Sequence, residues 1–157
     1  MTIAIYPGSF DPITLGHLDV LETGCKIFDK IIIAVSFNCN KKGFLEPQIR
    51  KELIEKSVSH LPNVEVDLFE GLTIEYAKKH NAEVLLRGLR AVSDFEYEMQ
   101  LSQTNSTLAH DIKTVFLITK PEYSFISSST VKEVFINKGD ISMFVPKPVK
   151  EYLTNLH

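Results

Sequence analysis

An α/β fold is predicted, a single-domain Rossmann-like doubly wound sheet of five parallel strands with helices on both faces. Three observations predict it. Strand-like and helix-like segments alternate along the whole chain, the order that folds into a parallel sheet with right-handed crossovers. Residues 31–35 form an unbroken apolar, mostly β-branched run, the pattern of a strand covered on both faces. The residues able to do chemistry cluster after the first, fourth and fifth strands, at the sheet edge where such folds bind ligands.

Each element has its own justification. Residues 3–6 are short and apolar and end at a Pro-Gly turn, which makes them the first strand. From His17 the apolar side chains Leu18, Leu21, Cys25 and Phe28 recur at three- and four-residue spacing, giving a helix with one buried face that ends at Asp29-Lys30. Strand two, 31–35, follows. Residues 36–46 form a polar loop with Lys41, Lys42 and Gly43, and Pro47 suits the first turn of a helix running to about His60. Val64, Val66 and Leu68 alternate with charged residues, so the third strand lies nearer an edge; Gly71 turns the chain and a short helix covers 74–79. Val84, Leu85 and Leu86 make a buried fourth strand that stops at the segment 87–90, and a long helix starts near Asp94. Residues 114–118 are the fifth strand. After a loop with Pro121, a helix begins in the serine run 127–129 and ends at Gly139, and Pro146 and Pro148 introduce a last amphipathic helix.

Composition narrows the function classes. A chain of 157 residues is most simply one domain, 1–157, able to bury roughly 70% of its unfolded surface. A hydrophobic content of 44% and a charged content of 24% are those of an ordinary globular protein. The formal net charge of −3 disfavours nucleic acid and membrane surfaces as partners, while small anionic ligands need only local positive charge. Cys25 and Cys39 form neither a disulfide framework nor a CxxC pair and are read as reduced thiols. Without a long apolar run or a secretory pattern, the expected location is cytoplasmic. His60, His80, His110 and His157 are scattered, with no metal-ligand spacing.

The stretch 6–17, YPGSFDPITLGH, sits where the first strand hands over to the first helix, a junction suited to phosphate. Neither GxGxxG nor GxxxxGK[ST] occurs, so a nucleotide must be held by other means. Thr14-Leu15-Gly16-His17 offers a glycine for close backbone approach, then an imidazole that, protonated or as a donor, can stabilise charge on a phosphoryl group. Arg87 and Arg90 after strand four would supply local positive charge.

The Gly-His pair resembles the HxGH motif of the nucleotidyltransferase superfamily, in its TxGH form. Within that superfamily the chain is most similar to the bacterial pantetheine-phosphate adenylyltransferase family, through YPGSFDPITLGH at 6–17, RGLRAVSDFEYEMQ at 87–100 and SFISSSTVKEV at 124–134. The resemblance implies transfer of AMP from ATP to 4′-phosphopantetheine, giving dephospho-CoA and pyrophosphate on the path to coenzyme A. Mg²⁺ is expected to ride on the triphosphate of ATP, since the sequence shows no carboxylate cage for a protein metal site. The resemblance also implies a homohexamer, a dimer of trimers.

Residue by residue, the resemblance makes His17, Lys41 and Arg90 catalytic. Ser9 matches a hydroxyl residue, often Thr, that contacts both substrates, and Phe10 offers its backbone to the ATP phosphates. Gly88, Leu89 and Arg90 match an ATP-binding segment, Glu98 an ATP-contacting glutamate, and Tyr123, Ser124, Phe125, Ile126, Ser127, Ser128 and Ser129 an adenine- and phosphate-binding loop. Of these, Ser128 and Ser129 are expected to cap the helix. Lys41 and Arg87 match residues that contact the pantetheine phosphate, with Lys42 an equal candidate for the loop contact, and Thr73 matches a pantetheine-contacting position. Two other readings stay open: a nucleotidyltransferase of the same superfamily acting on nicotinate mononucleotide or on a glycerol or choline phosphate, and a catalytically silent nucleotide sensor.

Overall fold

The computed structural model describes residues 1–156; His157 lies outside the described residues. Five parallel strands form one sheet: β1 (Ile3–Gly8), β2 (Lys30–Ser36), β3 (Val64–Phe69), β4 (Val84–Leu89) and β5 (Lys113–Ile118), in the order β3-β2-β1-β4-β5. The helices between them are α1 (Leu15–Cys25), α2 (Pro47–Ser57), α3 (Thr73–Lys79) and α4 (Val92–Leu108). After β5 come a 3-10 turn (Pro121–Tyr123), α5 (Ser128–Ile136) and α6 (Lys147–Thr154).

Two cores sandwich the sheet, and the period-two geometry of a strand divides the residues between them. Ala4 and Tyr6 of β1, Ile31, Ile33 and Val35 of β2, and Val84 and Leu86 of β4 point to one face, where Leu21 of α1, Ile54 of α2, Val131 of α5 and Leu153 of α6 meet them. Ile5, Ile32, Ala34 and Leu85 point to the other, against Ile74 and Ala77 of α3. Strand β2 is therefore apolar at every central position, as its sequence requires. Strand β3 sits at a sheet edge, in keeping with its alternation.

The strand order reverses between β1 and β4, which are paired through Ala4–Val84 and Ile5–Leu85. Beyond that pairing the two strands diverge, and a crevice opens outside their carboxyl ends. Strand β4 runs further than its apolar core suggests. Arg87, Gly88 and Leu89 continue the ladder with Phe116, Leu117 and Ile118, so Arg87 is a strand residue instead of one beyond the strand. Gly88 has a packing reason: a Cβ there would come within 2.8 Å of Val20 Cγ2, so the glycine lets α1 lie close against β4.

Candidate active site

A cleft of about 370 Å³ occupies the crevice between β1 and β4. Its walls come from the turn after β1 (Ser9, Phe10), the start of α1 (Gly16, His17), the end of β4 (Arg87, Gly88, Arg90) and the approach to α5 (Ile126, Ser127, Ser128). Two further spaces adjoin it. A pocket of about 180 Å³ is lined by Thr73, Leu101 and Asn105 and shares Pro7, Arg87 and Glu98 with the cleft. An open groove of about 670 Å³ is lined by Lys41, Lys42 and Glu70 and shares Ser9.

The start of α1 fixes the state of His17. Thr14 caps the helix by accepting from the His17 backbone N–H at 3.3 Å. In return the Thr14 N–H donates to His17 Nδ1 at 3.0 Å, closing a capping box. An Nδ1 that accepts cannot carry the proton, so the neutral ring bears it on Nε2. Burial, and then the charges of Arg90 and Arg87, push the imidazole pKa down to about 4. Of the two alternatives the sequence leaves, a protonated ring or a neutral donor, the geometry selects the donor.

This has a consequence for stability. The folded-state pKa lies below the ordinary 6.5, so the folded protein binds fewer protons than the unfolded chain as the solution is acidified. The contribution is fully present above pH 6.5 and is lost as pH falls from there towards 4, reaching about 2 kcal/mol at pH 5 at 1.36 kcal/mol per unit. Denaturant titrations of the wild type and His17→Asn between pH 7 and 5 should show the wild type losing that much more; equal slopes would refute the assignment.

The two arginines are already engaged. Glu98, buried on α4, grips Arg87 through both oxygens, Nε to Oε2 at 2.9 Å and Nη2 to Oε1 at 2.6 Å, while Arg87 Nη1 donates to the Pro7 carbonyl at 3.0 Å. Burial works against the Arg87 charge, but Glu98 more than compensates and holds its pKa above the ordinary value. Arg90 donates through Nε to Asp94 at 3.0 Å and through Nη1 to the Ile126 carbonyl at 2.9 Å. The local positive charge expected from two arginines is therefore offset by two carboxylates. These carboxylates lie four residues apart on one face of α4, so Glu98, an ATP contact by resemblance, is bound to Arg87, and Asp94 to Arg90.

On the third wall the cap is Ser127, whose hydroxyl accepts from the Thr130 N–H at 3.1 Å. This corrects the expectation for Ser128 and Ser129: Ser128 Oγ instead donates to the Pro12 carbonyl at 2.8 Å, tying the loop to the turn after β1, and Ser129 is exposed. Of the remaining predicted residues, Ser9, Phe10, His17, Arg87, Gly88, Arg90, Glu98, Ile126, Ser127 and Ser128 line the central cleft. Leu89 contributes its carbonyl to the Thr119 N–H at 2.9 Å, and Tyr123, Ser124 and Phe125 stand in the turn outside the lining. Thr73 belongs to the side pocket and Lys41 to the open groove, both exposed or half-buried.

Sequence reading missed the hub beneath that groove. Asp11 accepts from the Phe44 and Leu45 N–H groups, each at 2.8 Å. Arg50, buried on α2, donates to the carbonyls of Leu45 at 3.0 Å, Ser9 at 2.9 Å and Ser36 at 3.1 Å. Together they join the turn after β1, the end of β2 and the far end of the loop that carries Lys41. A Cβ at Gly43 would meet Asp11 Oδ2 at 2.8 Å, which accounts for glycine there. A charged residue among the apolar positions of α2 was the one signal available.

The fold and this cleft define a class. A family model described as cytidylyltransferase-like matches residues 5–134, so the chain belongs to that family of nucleotidyltransferases. Closer relatives refine this. The chain is 56% identical over 147 residues to a phosphopantetheine adenylyltransferase of Crocosphaera subtropica, covering 94% of each chain. It is 57% identical over 152 residues to that of Gloeothece citriformis, covering 97% of each, and 50% identical over 153 residues to that of Clostridium perfringens, covering 98% and 93%. The chain belongs to the phosphopantetheine adenylyltransferase family. A solved structure assigned as a nicotinate-nucleotide adenylyltransferase of Vibrio parahaemolyticus superposes with a TM-score of 0.75 at 21% identity, over 99% of this chain and 93% of that one, and shares the fold.

Proposed function

We propose that the chain transfers the adenylyl group of ATP to 4′-phosphopantetheine, releasing pyrophosphate and dephospho-CoA. The observation that carries this is the convergence of a neutral imidazole donor, two arginines and a serine-capped helix on one crevice, with a narrower pocket opening beside Arg87. An oxygen of the acceptor phosphate attacks the α-phosphorus of ATP in line with the departing pyrophosphate, and no protein nucleophile is required. The protein supplies position and charge stabilisation, the terms that dominate phosphoryl chemistry. His17 donates its Nε2–H to a non-bridging oxygen of the α-phosphate. Ser9 lies at the junction of the cleft and the Lys41 groove and serves both substrates, while Arg87 and Lys41 hold the acceptor phosphate and Thr73 borders its pantetheine arm. Gly88, Arg90 and the serine-capped turn cradle the nucleotide.

The side chains suit Mg²⁺ only as part of the nucleotide. Asp94 and Glu98, the carboxylates lining the cleft, are each bound to an arginine, and the described residues contain no group of three or more His, Cys, Asp or Glu placed to hold a metal. Mg²⁺ held by triphosphate oxygens would offset charge on the leaving pyrophosphate. The proposal extends to cytoplasmic residence and to a hexamer built as a dimer of trimers. No helix among the described residues is long and apolar enough to cross a membrane. Exposed Phe95, Tyr97, Met99 and Leu108 on α4 supply apolar surface for assembly.

The test is to supply ATP and Mg²⁺ with each candidate acceptor phosphate and to identify the product by mass. Dephospho-CoA is expected from phosphopantetheine. Turnover of nicotinate mononucleotide in its place would overturn the substrate, and release of no pyrophosphate with any acceptor would favour a silent sensor.

A further inference from the structure

Tyr6 lies in the middle of β1 and is 5% exposed. Its ring stands edge-on to Phe10 at 5.2 Å between centroids, and Phe10 in turn stands against His17 at 4.9 Å, so the phenol is wedged under the catalytic floor. A buried tyrosine ordinarily spends its hydroxyl on a partner, because an unmet polar group away from water costs about 1–3 kcal/mol. The Tyr6 hydroxyl bonds to none of the described residues. Yet no sealed side-chain nitrogen or oxygen among them lacks a partner, so this hydroxyl opens into the cleft that Tyr6 helps to line.

The acceptors around it already have donors of their own. Both oxygens of Glu98 and the Pro7 carbonyl receive from Arg87, and the oxygens of Asp19 face the backbone N–H and the ammonium of Lys120. Burial raises the phenol pKa further above its ordinary value, so the group stays a neutral donor through the working pH range. What remains is an O–H group with no partner among the described residues, in the same cleft as the arginine shared with the side pocket.

We propose that the Tyr6 hydroxyl is a substrate-binding donor, directed to a non-bridging oxygen of the acceptor phosphate next to Arg87. The assignment rests on the acceptor reading given above. Tyr6 and Arg87 both line the central cleft, so a phosphate held there by Arg87 shares the space into which the phenol hydroxyl opens. Arg87 has spent three of its N–H groups on Glu98 and Pro7, one each from Nε, Nη1 and Nη2, so the phenol would add a donor beside those that remain on Nη1 and Nη2.

Tyr6→Phe removes the hydroxyl and keeps the ring against Phe10. Because a hydrogen bond to a charged group is at stake, kcat/KM for phosphopantetheine should fall roughly 10- to 100-fold. KM for ATP should stay within about twofold, and the melting temperature should not drop. Calorimetric titration with phosphopantetheine alone should show the same weakening. The proposal is overturned by kcat/KM within about twofold of wild type, by a loss confined to ATP, or by a loss that follows a lowered melting temperature. A wild type that ignores phosphopantetheine refutes the acceptor reading instead; Tyr6→Phe is then compared on whichever acceptor phosphate is adenylylated, and the same criteria decide.

Discussion

His17→Ala is expected to lower kcat about a hundredfold or more, close to 3 kcal/mol of barrier, by analogy with loss of one preorganised oxyanion donor. The size follows from the state of the ring. With Nδ1 receiving the Thr14 N–H and the pKa pushed down to about 4, the imidazole approaches the reacting phosphates as a neutral Nε2–H donor whose orientation is set before substrate arrives. Charge grows on the α-phosphoryl oxygens only as the acceptor attacks, so the contact strengthens in the transition state, and kcat suffers more than KM. Alanine also breaks the capping box, and His17→Asn separates the two effects. The asparagine carbonyl can take over from Nδ1 at the helix start, but nothing then reaches the position of Nε2. Stability should recover while kcat stays low; a His17→Asn enzyme turning over at the wild-type rate would sink the donor role. Because the ring is neutral, wild-type kcat should show no inflection near pH 6.5.

How much of this was legible in the sequence depends on how local each feature is. Strand β2 was legible because both faces of it are buried, so every central residue is apolar. The three chemical segments were legible because each follows a strand. The end of β4 was not: Arg87 and Gly88 lack the apolar or β-branched character of a strand, and only the ladder to β5 keeps them extended. The cap of α5 was displaced by one residue because three consecutive serines have equal capping capacity, and the contact of Ser128 with Pro12, far away in sequence, decides between them. The pairing of Arg87 with Glu98 and the reach of Arg50 to Ser9 are products of the folded sheet, with no periodicity to announce them. Non-locality also explains why the cleft is less positive than its arginines suggest, since their carboxylate partners come from a helix that the pattern treats as a separate element.

Arg50→Ala carries the largest expected loss of stability, about 3–5 kcal/mol, because it leaves Asp11 buried without its counterion and strips three backbone carbonyls of their donor. For a domain of this size that is a fall of roughly 10 °C in melting temperature. The guanidinium lies 3.9 Å from Asp11, at Nε, so the attraction is shared through the backbone they both hold more than through direct contact. Asp11 takes the N–H groups of Phe44 and Leu45 while Arg50 takes the Leu45 carbonyl, and the two side chains thus clamp one short segment from both sides. If they act as a unit, Asp11→Ala and Arg50→Ala should be non-additive, with the double variant at least about 1 kcal/mol more stable than the sum of the single losses predicts. Strict additivity in a double-mutant cycle by urea unfolding would mean two independent anchors. The clamp also sets one foot of the loop bearing Lys41, while Arg50 holds the carbonyls of Ser36 at the other foot and of Ser9 at the cleft. Arg50→Lys, which keeps the charge and loses the fork, should therefore recover part of the stability but still raise KM for the acceptor phosphate, because one ammonium cannot satisfy three carbonyls that diverge from a planar guanidinium.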